Sequence, residues 1–218
     1  MRRHSNAVVS HVAIRADGGT LEGLLGIPHT ARGLVVFAHG SGSGRLSPRN
    51  SHVAASLREA GFATLLFDLL TESEAYDRRL AFDIPFLAER LAAARDWACE
   101  AVETRALAIG YFGASTGAAA ALVAAAGDPA IRAIVSRGGR PDLAGAALAR
   151  VDAPTLLIVG GDDHGVIDLN QEAYERLRCE KRLTIVPGAG HLFEEAGTLD
   201  RVIELAIEWY DRWFPPVA

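Results

Sequence analysis

Apolar residues along the 218-residue chain fall into two alternating kinds of run. Short β-branched or aliphatic stretches such as Leu34-Val35-Val36-Phe37-Ala38 read as strands. Between them lie longer Ala-, Leu- and Arg-rich segments whose apolar positions recur every three or four residues, the period of a helix. Strands are expected at 8–15, 21–27, 34–38, 64–68, 105–111, 131–136, 155–159 and 182–186. Helices are expected at about 48–60, 82–101, 116–126, 142–149, 169–178 and 198–214. The first two strands flank Asp17-Gly18-Gly19, a hairpin turn signal. An opening hairpin followed by β–α alternation predicts an α/β protein with a mostly parallel sheet of about eight strands, an antiparallel start and helices on both faces. No linker, repeat or low-complexity stretch divides the chain, so residues 1–218 read as one domain. The polar segment 70–83, containing Thr71-Glu72-Ser73-Glu74, is too short for a domain and is expected to be a mobile loop.

Composition narrows the function classes. With 50% hydrophobic and 22% charged residues the chain is not of the disordered type. No run approaches the ~20 apolar residues of a membrane span. Met1–Asn6 is basic, but Ser10, His11 and Arg15 interrupt any apolar stretch behind it, so no signal peptide is expected. A net charge of −5 speaks against a nucleic-acid partner. Lys181 is the one lysine among 22 basic residues, a bias that, with the abundant alanine, reflects codon usage more than function. Two cysteines, Cys99 and Cys179, make no disulfide framework and no CxxC pair, and a reducing cytoplasm is the expected location. The seven histidines form neither H-x-H nor H-E-x-x-H, so no metal site is expected.

Candidate chemistry gathers where strands exit, the face on which open α/β sheets bind ligands. After the strand at 105–111 comes Gly113-Ala114-Ser115-Thr116-Gly117 and then a helical run. This is G-x-S-x-G in the strand–turn–helix context it requires, a tight turn that lifts a serine hydroxyl above the sheet. The following helix places its positive end beneath a developing oxyanion. A serine needs a base, and the base an orienting carboxylate. The strand at 155–159 exits into Gly160-Gly161-Asp162-Asp163-His164, and the strand at 182–186 into Pro187-Gly188-Ala189-Gly190-His191. Nucleophile, acid and histidine thus follow at strand exits in the order Ser, Asp, His.

These segments, with Phe37-Ala38-His39-Gly40-Ser41-Gly42-Ser43-Gly44, resemble the α/β-hydrolase superfamily over essentially the whole chain. Within it the chain resembles the dienelactone-hydrolase-like branch of small serine hydrolases without a cap domain. The resemblance implies a Ser115–Asp163–His191 triad. Asp163 is preferred to Asp162 because Gly160, Asp163 and Val166 match the family's G-x-x-D-x-x-V spacing, while Asp168 suits the N-cap of a helix starting at Leu169. Dienelactone hydrolases proper carry a cysteine nucleophile; Ser115 departs from them and favours general ester hydrolysis. The loop 39–44 follows neither G-x-G-x-x-G nor G-K-[ST], which sets a nucleotide site aside. On the hydrolase reading it aims the Ser41 N–H at the same point as the Thr116 N–H, forming an oxyanion hole, while His39 braces the loop.

Arg45, Arg49 and Arg137 stand at strand exits and are expected to favour a substrate with an anionic group. Trp209, Tyr210, Trp213 and Phe214 read as core packing. The expected activity is hydrolysis of a small-molecule ester or lactone through an acyl-enzyme on Ser115, without a cofactor and without nucleic-acid or membrane partners, by a monomer or homodimer. The same triad also serves thioesterase, amidase, acyltransferase or carbon–carbon hydrolase chemistry. A hydrolase-fold protein that binds a ligand without catalysis is the remaining alternative.

Overall fold

The computed structural model describes residues 7–215, so the N-terminal Met1–Asn6 segment weighed above lies outside the described residues. Eight strands form a single sheet: β1 (Val8–Ala16), β2 (Gly19–Ile27), β3 (Leu34–Ala38), β4 (Ala63–Phe67), β5 (Ile109–Ala114), β6 (Ile131–Arg137), β7 (Thr155–Gly160) and β8 (Lys181–Val186). Their spatial order is β1-β2-β4-β3-β5-β6-β7-β8. β1 and β2 form the expected hairpin, β2 pairs antiparallel with β4, and the other pairs are parallel. From β3 the chain first crosses to β4 on one side and then returns to β5 on the other. The exits of β3 and β5 therefore diverge, leaving a crevice at the carboxyl ends of the central strands.

Five helices cover the two faces: α1 (Pro48–Glu59), α2 (Ile84–Glu100), α3 (Thr116–Ala125), α4 (His164–Arg176) and α5 (Thr198–Trp213). The central strands are buried on both sides and consequently lack polar alternation. Along β3, Leu34, Val36 and Ala38 join one core, with residues of α2, α3 and α4. Val35 and Phe37 join the other, with Val53 and Leu57 of α1 and with α5. Of the four aromatics expected to pack in the core, Trp209, Tyr210 and Phe214 are buried in that second core and Trp213 is half-buried against it; the Tyr210 hydroxyl donates to the Tyr111 carbonyl at 2.8 Å.

Three boundaries differ from the sequence reading in ways that bear on function. The strand expected at 105–111 lies at Ile109–Ala114, because Thr104 to Leu107 turn back on the end of α2 through Thr104 Oγ1 to the Ala98 carbonyl. The helix expected at 142–149 is a 3₁₀ stretch, Pro141–Arg150, broken at Gly145 with φ 56°. The helix expected from Leu169 begins at His164, which puts Asp163 at its N-cap and Asp168 inside it.

The loop 70–83 is also more structured than anticipated. It carries two 3₁₀ turns, Glu74–Tyr76 and Leu80–Phe82. Thr71 N–H donates to Glu74 Oε2 at 2.8 Å and Glu74 N–H to Thr71 Oγ1 at 3.3 Å, a reciprocal capping box. Glu74 Oε1 then accepts from the buried Arg90 of α2 at 2.7 Å, fastening the loop to the body.

Candidate active site

Ser115 sits between β5 and α3 with φ 51° and ψ −123°. A non-glycine residue there is strained by on the order of 1–3 kcal/mol, and such strain persists only where the surroundings dictate it. Here they do. Ser115 N–H donates to the Arg137 carbonyl at 3.4 Å, and the Ser115 carbonyl accepts from Ala118 N–H at 3.1 Å and Arg140 N–H at 3.0 Å. The flanking glycines are required by close approach. A Cβ on Gly113 would strike the backbone of Gly117 and Ala118, and one on Gly117 the carbonyl oxygens of Ala38 and His39. The turn is thereby pressed against the exit of β3, and Gly40 abuts the serine: a Cβ there would lie 2.9 Å from Ser115 Cβ.

His39 is buried and braces this loop from inside. Leu69 N–H donates to His39 Nε2 at 3.0 Å, so Nδ1 carries the proton and donates to the Gly40 carbonyl at 2.9 Å. Burial holds its pKa below the ordinary histidine value, which keeps it neutral and removes it from proton transfer.

Asp163 and His191 meet where the exits of β7 and β8 come together. His191 Nδ1 donates to Asp163 Oδ2 at 2.7 Å. Asp163 occupies the N-cap of α4, where an aspartate ordinarily accepts from the helix's first N–H groups, yet its side chain makes no capping bond. The carboxylate is turned to the histidine instead. Neither Asp162 nor Asp168 makes that contact. The two loops are interlocked by Asp162 N–H to the Ala189 carbonyl at 3.0 Å and Gly161 N–H to the Val186 carbonyl at 2.8 Å. A group missed from sequence steadies the histidine loop: Glu195 Oε2 accepts from Gly190 N–H at 3.1 Å, and backbone hydrogen bonds draw its pKa down. Its only signal was a carboxylate four residues beyond His191. Among the described residues no hydrogen bond joins Ser115 Oγ to His191, a contact that in such sites often closes only on substrate.

Arg45 stands apart from Arg49 and Arg137. Arg45 lines a cavity of about 470 Å³ bounded by Gly40, Ser41, Leu69, Glu72 and Thr116, but its guanidinium is held by Asp68. Arg49 pairs with Glu194 at 2.7 Å in a separate groove. Arg137 lies buried on the α1 side of the sheet, with a 3.4 Å contact to Asn50 Oδ1 and with Nε and Nη1 unpartnered. Desolvation and the nearby Arg49 push its pKa down to about 10. The Ser41 N–H, expected in the oxyanion hole beside that of Thr116, instead donates to Thr116 Oγ1 at 3.2 Å. Among the described residues no group of three His, Cys, Asp or Glu is placed to hold a metal, and no helix is long and apolar enough to cross a membrane.

Residues 21–208 match the dienelactone hydrolase family. The chain belongs to that family. A crystal structure of a dienelactone hydrolase from Anabaena variabilis is similar at 53% identity and TM-score 0.94, covering 96% of this chain and 99% of that one. The lidless α/β serine hydrolase XC6422 from Xanthomonas campestris shares the fold at 18% identity and TM-score 0.78, covering 96% of this chain and 97% of its own. Two Mycobacterium tuberculosis proteins, provisionally named phosphoribosyl transferases, are 58% identical over 201 residues. This family member matches them over 91% of its own length but spans only 45% of theirs.

Proposed function

We propose that this dienelactone hydrolase family member is a serine hydrolase that cleaves a small ester or lactone through an acyl-enzyme on Ser115. The reading is carried by one juxtaposition: a serine held at φ 51° on a strand-to-helix elbow, and a histidine whose Nδ1 is 2.7 Å from a carboxylate that forgoes its helix cap. In the proposed reaction Ser115 Oγ attacks the carbonyl carbon while His191 Nε2 takes its proton. Asp163 holds the imidazole in the tautomer that leaves Nε2 free and stabilises the imidazolium. The Thr116 N–H at the start of α3 faces the developing negative charge. His191 returns the proton to the leaving oxygen, and water then releases the acid by the same steps.

The cavity beside Ser41 and Thr116 is the natural seat for part of the substrate, and its volume suits a small one. Thioester, amide, acyl-transfer and carbon–carbon substrates use the same machinery and are separated by a substrate panel. The name of the Mycobacterium tuberculosis relatives belongs to proteins more than twice the matched length. The nucleophile, base and acid of this chain support acyl chemistry. For an anionic substituent, Arg137 is the remaining support, since Asp68 and Glu194 already pair Arg45 and Arg49.

The test is intact-mass analysis with peptide mapping after exposure to a fluorophosphonate. A single adduct on Ser115, lost in Ser115→Ala and in His191→Ala, is expected, with ester turnover falling in either variant by about 10⁴-fold or more. A folded wild-type protein that takes no adduct would overturn the reading.

A further inference from the structure

We propose that the side-chain hydroxyl of Thr116 is itself a donor in the oxyanion hole, alongside the Thr116 backbone N–H. The proposal rests on the serine-hydrolase reading above and adds a catalytic group to it. Its starting point is the diverted amide of Ser41, which donates to Thr116 Oγ1 at 3.2 Å. In that bond the hydroxyl is the acceptor, so its own hydrogen remains available, and among the described residues no acceptor takes it. Thr116 is only 4% exposed, yet it borders the substrate cavity together with Gly40 and Ser41. Gly40 in turn lies against the nucleophile, with its Cβ position 3.6 Å from Ser115 Oγ. A nearly buried hydroxyl with an uncommitted hydrogen thus stands next to the reacting serine, at the edge of the cavity.

Two features suit it to the task. A β-branched side chain is restricted at χ1, and the bond from Ser41 N–H selects the rotamer, so Oγ1 is held before substrate arrives. A hydroxyl that accepts from an N–H is polarised and donates more strongly, as hydrogen bonds in chains do. The loop 39–44 then acts through Thr116 and does not contact the oxyanion first. During addition the Ser115 Oγ–C bond forms, the carbonyl electron pair moves onto oxygen, and the serine proton passes to His191. On collapse that proton leaves with the alcohol. Thr116 keeps its hydrogen throughout and supplies only the hydrogen bond.

The experiment compares Thr116→Val, Thr116→Ala and Thr116→Ser with wild type on a short ester and its thionoester, whose C=S sulfur accepts hydrogen bonds weakly. Fluorophosphonate labelling of Ser115 is run in parallel. Losing an oxyanion donor is expected to lower kcat on the ester by about 10²–10³-fold in the Val and Ala variants, with KM nearly unchanged. Thr116→Ser, which keeps the hydroxyl but not the β-branch, recovers most of the activity that the Val and Ala variants lose, with an ester-to-thionoester ratio nearer wild type than theirs. The ester-to-thionoester rate ratio falls at least about tenfold in the Val and Ala variants, a change that a merely displaced loop does not produce. A wild-type protein labelled at Ser115, with that ratio unchanged in both variants, overturns the role of Thr116 and returns it to Ser41. Variants faster than wild type overturn it too, since the hydroxyl would then be blocking the hole. A wild type that takes no label overturns the serine reading and this proposal with it.

Discussion

Replacing Asp163 by asparagine separates what the residue does for chemistry from what its position does for the fold. Its carboxylate lies 2.7 Å from His191 Nδ1, and its side chain is 16% exposed. When His191 becomes an imidazolium, opposite charges centred about 4 Å apart at an effective dielectric near 20 attract by ~4 kcal/mol. At ~1.4 kcal/mol per tenfold, losing that attraction lowers kcat about 10³-fold. Stability responds differently. Asparagine is as good an N-cap as aspartate, and the Asp163 side chain does not cap α4 at present. The variant's amide is free to do so, a gain of up to about 1 kcal/mol, or ~3 °C in Tm for a chain of this size. Initial rates on a short nitrophenyl ester and a thermal melt measure both, with Asp162→Asn as the control that leaves kcat within a few-fold. Equal losses in the two variants, or a loss below tenfold in Asp163→Asn, would refute the assignment of the acid. A Tm drop of several degrees would refute the account of the unused cap.

Two further predictions rest on buried groups. His39 is held neutral by burial, so as pH falls below the unfolded value of 6.5 the unfolded chain takes up a proton that the folded one refuses. Stability therefore falls as pH drops from 7.5 towards 5.5, by at most ~1.4 kcal/mol per pH unit from this group. His39→Gln should flatten that part of the Tm–pH curve; an unchanged slope would contradict it. Arg137 is a buried cation with two unpartnered nitrogens, Nε and Nη1, and among the described residues it has no carboxylate partner. Arg137→Met is expected to raise stability by about 1–3 kcal/mol, by relieving an unpaired buried charge. If Arg137 holds an anionic substituent, the same variant lowers kcat/KM on a carboxylate-bearing ester and spares the matched neutral ester. A lower Tm, with both esters hydrolysed as before, would mean that Arg137 is a packing residue.

What could be read from the sequence were the features encoded over a few neighbouring residues. The G-x-S-x-G elbow was legible because steric need at Gly113 and Gly117 writes itself into composition, and the sheet because buried parallel strands leave unbroken apolar runs. Even the capping box of Thr71 and Glu74 was present as T-x-x-E in a segment read as a mobile loop. Helix starts were less legible, since Asp163 and Asp168 are both good caps and propensity alone does not choose between them. What only the tertiary structure decided were pairings between distant segments. Asp163 meets His191 28 residues on, and Asp68 takes Arg45 from 23 residues away. Glu194 neutralises Arg49 across 145 residues, and Thr116 Oγ1 captures the Ser41 amide across 75. A local pattern records that a group is charged or can donate, but which partner satisfies it depends on how the strands are ordered in the sheet. That ordering brings the exits of β3, β5, β7 and β8 to one face and sets which donors remain open for a substrate.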